Sequence, residues 1–129
     1  LKTYNIALGE YEGAAVLHYN QHSSGIATID KDGSHRKLSD YTVNEAISCK
    51  PFDALQLEFD NNVKLVKIDV EGHELSVLKG MQHFLQNEKA FLFVEINQND
   101  KVIIEFLAQF NFHRLNIRAN DYVFSNIST

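Results

Sequence analysis

Apolar positions fall into short runs, and the runs change character midway along the chain. Tyr4 to Leu8 is a brief apolar run closed by Gly9, which predicts a strand, with a turn from Gly9 to Gly13. Ala15 to Asn20 predicts a second strand. Residues 21 to 37, rich in Ser, Gly, Asp, His and Lys, read as hairpins or loops. Thr42 to Cys49 favours neither helix nor strand. Phe52 to Phe59, apolar at positions 52, 55 and 59, predicts a short helix.

The second half has longer periods. Leu65-Val66-Lys67-Ile68-Asp69-Val70 is mostly apolar and β-branched, which suits a strand buried on both faces. Glu74 to Leu85 carries Leu75, Leu78, Met81 or Gln82, and Leu85 at helical spacing, with Glu74 in the first turn, where the helix dipole favours a carboxylate. Gly80 inside that helix costs about 1 kcal/mol relative to Ala, so close packing is its expected reason. Phe91 to Ile96 predicts another buried strand, and Lys101 to Phe110 a helix with Val102, Ile103, Phe106, Leu107 and Phe110 on one face. His113 to Ile117 and Tyr122 to Ser125 predict two last strands, joined by a loop short enough for an antiparallel hairpin. Alternating strands and helices predict an α/β fold with a mostly parallel sheet, closed by that hairpin.

The 129 residues suit one domain, and no internal repeat or linker divides them. A net charge of −5 with scattered Lys and Arg argues against nucleic acid and against an anionic membrane surface. No apolar run approaches the ~18 residues of a membrane helix. Cys49 is the only cysteine, which rules out an internal disulfide and fits a reducing, cytoplasmic setting. The N-terminus shows no signal peptide and no initiator Met, as expected of a fragment.

Ligands of open α/β sheets sit beyond the carboxyl ends of the strands. Asp69 and Glu71 close one predicted strand and Glu95 closes the next. Neighbouring strands lie ~5 Å apart, so these three carboxylates are expected at one mouth. There they could bind a hard divalent cation, share a proton or orient a hydroxyl. A plainer reading makes Glu71, Glu74 and Asp69 helix-terminus acids, and His73 a solvent-exposed helix-start residue. The remaining histidines, His18, His22, His35, His83 and His113, are dispersed, and no metal site of histidines is expected. Nucleophile-elbow, phosphate-loop and zinc motifs are missing. A metal-dependent hydrolase is disfavoured because no histidine joins the acids at usable spacing.

Val66-Lys67-Ile68-Asp69-Val70-Glu71-Gly72-His73-Glu74-Leu75, then Val77-Leu78-Lys79-Gly80, then Phe93-Val94-Glu95-Ile96, resembles the FkbM family of methyltransferases. Asn5-Ile6-Ala7-Leu8-Gly9 is similar to that family's short "N-x-A-L" strand, Phe52 to Leu55 to its "L-D-x-L" stretch, and Tyr122-Val123-Phe124 to its closing strand. The resemblance is strongest over 64–97 and weakest over 14–50. It implies a partial Rossmann-like class I methyltransferase fold with strand order 3-2-1-4-5-7-6, of which this chain would hold strands 3 to 7. The family's first strand, Gly-rich loop and the acid after its second strand have no counterpart here, so residues 1–129 read as a single, N-terminally incomplete domain.

The resemblance further implies S-adenosylmethionine as methyl donor and O-methylation of a small-molecule hydroxyl on a sugar or natural product. Asp69 is then the first candidate for the base or a metal ligand, Glu95 the second and Glu71 the third, with His73 a weaker one. Asn5, Ala7 and Leu8 would lie near the adenine. The alternative is a non-catalytic α/β binding module that has lost the cofactor loop. Strand 65–70 would lack its partner in this family order, and three outcomes are expected for its open edge: another segment of this chain fills the gap, a second chain does so by self-association, or the polypeptide aggregates.

Overall fold

A computed structural model describes residues 1–29 and 37–128. Eight strands form two four-stranded sheets. The first contains β1 (Ala7–Leu8), β2 (Gly13–Asn20), β3 (Ser23–Thr28) and β4 (Val43–Lys50), in the order β1-β4-β2-β3. The second contains β5 (Lys64–Ile68), β6 (Ala90–Glu95), β7 (His113–Arg118) and β8 (Asp121–Ser125), in the order β5-β6-β8-β7. Its helices are α1 (Glu74–Lys79), α2 (Gln82–Asn87) and α3 (Asp100–Ala108).

The chain is mixed α/β, and the expectation of a mostly parallel sheet is corrected. Only β1 with β4 and β5 with β6 pair in parallel, while β2 with β3, β2 with β4, β6 with β8 and β7 with β8 are antiparallel. The reason lies in residues 13–50, whose described part builds antiparallel pairs and holds no α-helix to carry a parallel crossover. Thr42 to Cys49, undecided from its pattern, is the strand at the centre of this pairing. In the second sheet, the order β5-β6-β8-β7 with β8 antiparallel is the one expected of strands 4, 5, 7 and 6. His35 lies outside the described residues.

The second sheet is covered on one face. Val66 and Ile68 pair with Leu92 and Val94, and these pack with Leu78, Leu85, Ile103, Leu107 and Phe124 in one cluster. The opposite face is open. Leu65 is 74% exposed and Phe93 42% exposed, so the expectation that these strands are buried on both sides fails for that face. Among the described residues β5 pairs with β6 alone, leaving its other edge unpaired.

The predicted helix from Glu74 to Leu85 is two helices, broken at Gly80-Met81. Gly80 ends α1, and its N–H bonds to the carbonyls of Ser76 and Val77. Met81 gives α2 no side-chain cap. Asp53 supplies it from elsewhere: its carboxylate accepts the N–H of His83 (2.8 Å) and of Phe84 (3.2 Å). The helix expected over Phe52–Phe59 is only a 3-10 turn, Phe52–Leu55, ended by left-handed Gln56 at φ 49°. Its apolar spacing serves an aromatic cluster instead, with Phe52 and Phe59 each edge-on to Phe84.

Candidate active site

The parallel register of β5 and β6 brings Ile68 opposite Val94. The next residue on each strand is therefore an acid, Asp69 and Glu95, at the same end of the sheet. Beyond Asp69 the chain turns sharply into α1. Glu71 has φ 47° and Gly72 φ 92°, two successive left-handed residues. For a glutamate that conformation costs energy and persists only where surrounding contacts impose it. Two contacts do. The Thr28 hydroxyl donates to the Glu71 carbonyl at 2.7 Å, and the Gly72 N–H donates to Glu74 Oε1 at 2.8 Å.

Thr28 is 2% exposed and comes from β3, so this bond fastens the first sheet over the end of the second. A second tie joins the Glu10 N–H to Ser76 Oγ at 3.0 Å. Between the two sheets lies a cavity of about 330 Å³. Its walls are Ile6, Ala7 and Leu8 from the first strand region, Leu17, Ala27, Thr28, Ile29 and Ile47 from the hairpin sheet, and Asp69, Val70 and His73 from the turn into α1. The lining is mostly apolar, with three polar side chains gathered where the strand ends.

Asp69 lines this cavity. Its Oδ2 also accepts from Lys67 Nζ at 3.0 Å. That hydrogen bond, then the Asp69 charge itself, raises the Lys67 ammonium above its usual range, with Glu95 and Asp121 adding to the effect. Glu95 is half-buried but lines a different concavity of about 580 Å³, on the open face beside Lys67, Phe93 and Asp121. The expectation of three carboxylates at one mouth is thus corrected: the acids share an end of the sheet, but the strand pleat and the turn send them to different concavities. Among the described residues no group of three or more His, Cys, Asp or Glu side chains could hold a metal ion. The divalent cation that three converging acids could have bound loses its support.

Ala7 and Leu8 line the cavity, whereas Asn5 is exposed, is not among the lining residues and precedes β1. His73 is half-buried and part of the cavity wall, so the picture of a solvent-exposed helix-start residue is corrected. Its Nε2 lies 3.0 Å from the point where a Cβ on Gly9 would sit, so the bare Cα of Gly9 makes room for the ring. Glu74 is no surface helix-start acid either. It is 3% exposed, and burial pushes its carboxyl above the usual carboxylate range. The Gly72 N–H pulls the other way, and the charges of Glu71 and Glu95 push upward. Asp69 does not cap α1, whose N-cap is His73 with no side-chain cap bond.

Thr28, Leu17, Ile29 and Ile47 carried no signal in the sequence. They lie in the stretch without a motif, and only the fold of the hairpin sheet over the turn brings them to the site.

A mixed sheet ending in acids, with a cavity beyond the strand ends, is the architecture of an α/β enzyme. The chain belongs to the methyltransferase FkbM domain family, whose model matches residues 1–124. It is a methyltransferase. No curated protein and no solved structure matches it. Among the described residues, no helix is long and apolar enough to cross a membrane.

Proposed function

We propose that the chain is the C-terminal part of a class I, partly Rossmann-like domain that transfers the methyl group of S-adenosylmethionine to a hydroxyl of a sugar or natural product. The observation that carries this is the cavity at the carboxyl end of β5, where Asp69 meets the apolar wall of Ala7 and Leu8. An apolar wall suits an adenine ring, and a volume of about 330 Å³ is in the range of small-molecule sites. Methyl transfer from a sulfonium needs no covalent help from the protein. It needs the acceptor oxygen held in line with the methyl carbon, which by itself supplies much of the acceleration.

In this proposal Asp69 touches the reacting groups. Its carboxylate, paired with the Lys67 ammonium at 3.0 Å, places negative charge at the mouth, accepts a hydrogen bond and attracts the cationic donor. Glu71 shapes the turn behind it. Glu95 lines the open-face concavity with Lys67 and adds a smaller share to the raised proton affinity that Asp69 chiefly gives that ammonium. Residues 1–129 act as one domain, with Ala7, Leu8 and the adjoining Asn5 on the adenine side. The methionine end of the donor calls for a Gly-rich loop, for which these residues have no counterpart. A cytoplasmic setting goes with this proposal, since Cys49 is a free thiol.

The test is calorimetry with S-adenosylmethionine on this chain and on a version extended at its N-terminus, followed by transfer of labelled methyl from the donor to a panel of hydroxyl compounds. Binding by the extended form is expected, with Asp69→Asn lowering transfer by at least about tenfold. Transfer by Asp69→Asn within twofold of the parent removes Asp69 from the mechanism. Extended protein that binds no donor favours a binding module without catalysis.

A further inference from the structure

We propose that His73 is the catalytic residue that receives the acceptor's proton, while Asp69, on the same cavity, orients the reacting groups. This rests on the methyl-transfer function proposed above and adds to it the proton's destination. Three polar side chains line the cavity: Thr28, Asp69 and His73. The Thr28 hydroxyl already donates to the Glu71 carbonyl. The Asp69 carboxylate already accepts from the Lys67 ammonium at 3.0 Å. An imidazole changes charge near neutral pH, which is where a general base works best.

The ring's position supports the role. His73 is fixed as the residue that enters α1, its carbonyl accepting the Val77 N–H at 3.1 Å. Its Nε2 lies against Gly9, at the seam between β1 and α1, on the same cavity as Asp69. As the acceptor oxygen bonds to the methyl carbon, the carbon–sulfur bond breaks and its electron pair stays on sulfur. The hydroxyl proton moves to the imidazole, which releases it to water. The donor loses its positive charge as His73 gains one, so the Asp69 carboxylate, already paired with Lys67, faces one further cation throughout.

Cys49 Sγ and Ser76 Oγ lie near the same point at Gly9 as His73 Nε2, and Asp69 lines the same cavity. These groups are the same whether the bound ligand is S-adenosylmethionine or S-adenosylhomocysteine. The two ligands differ by one methyl and one positive charge at sulfur, so comparing them isolates the reacting centre.

The experiment is a pH titration of the histidine ring resonances by NMR in the full natural chain, saturated with either ligand. His73→Gln assigns the His73 signal. The His73 midpoint is expected about one pH unit lower with S-adenosylmethionine, because a sulfonium within reach opposes a second positive charge. Equal midpoints with both ligands bound overturn the proposal for His73 and leave methyl transfer standing. If calorimetry finds that the full chain binds neither ligand, the methyltransferase site itself is wrong, and this proposal falls with it.

Discussion

Gly80 lets the end of α1 rest directly on the backbone of Gly9: a Cβ on Gly80 would fall 2.1 Å from the Gly9 carbonyl oxygen. Two effects compete in Gly80→Ala. Helix propensity favours Ala by about 1 kcal/mol. Forcing a methyl group onto a rigid carbonyl costs about 1–3 kcal/mol or more, and neither backbone can swing aside as a flexible side chain would. Overpacking wins. Gly80→Ala is expected to lower the stability measured by urea unfolding by about 1–2 kcal/mol, and an unchanged or raised midpoint would show that the contact is not as tight as described.

Thr28 makes a separate tie between the two sheets. Thr28→Val keeps the shape but removes the hydroxyl that satisfies the Glu71 carbonyl. A buried carbonyl left without its donor costs about 1–3 kcal/mol. The turn that carries Asp69 and His73 loses its clamp at the same time, so donor affinity should weaken along with stability. Chemical denaturation and calorimetry with S-adenosylmethionine check both. A variant that loses stability but binds the donor as before would confine Thr28 to a structural role.

The buried carboxyl of Glu74 makes stability depend on pH. Its proton affinity in the folded chain is raised above the usual 4.5, chiefly by burial. The protonated form therefore favours folding. That contribution is complete below the unfolded value and is lost as pH rises through the raised folded value. Glu74→Gln keeps an oxygen for the Gly72 N–H and cannot ionise. Its melting temperature is expected to gain on the parent as pH rises from about 4.5, with little difference at lower pH. Parallel curves from pH 4 to 8 would contradict the assignment.

The unpaired edge of β5 is a template for strand addition. We expect concentration-dependent dimers of this chain in sedimentation velocity, and we expect Leu65→Lys to shift them toward monomer. Leu65 is the residue to change because its side chain is largely exposed on the open face and its loss removes no core packing. Parent protein that stays monomeric at all concentrations tested would remove self-association from the account.

The acid-bearing strand ends were legible before any coordinates. The apolar run from Leu65 to Ile68, the Glu71-Gly72 turn and the run ending at Glu95 follow local rules: apolar and β-branched residues in strands, and a glycine where the backbone turns left-handed. The helix break at Gly80-Met81 was not legible. Leu75, Leu78 and Leu85 keep helical spacing across it, and the cap that permits it comes from Asp53, about thirty residues upstream.

What the sequence by itself determined is therefore the local chemistry: the two strands, the acids at their ends, and the motif of the methyltransferase family. What only the tertiary structure decided is which groups meet. Strand pleat and a left-handed turn part Glu95 from Asp69 although the strands are neighbours, and the hairpin sheet, without any motif of its own, closes a cavity over Asp69 and His73. The physical reason is range: turns and strand ends are set by residues a few positions apart, whereas the walls of the cavity are contacts such as Thr28 with Glu71, made across forty-three residues of chain.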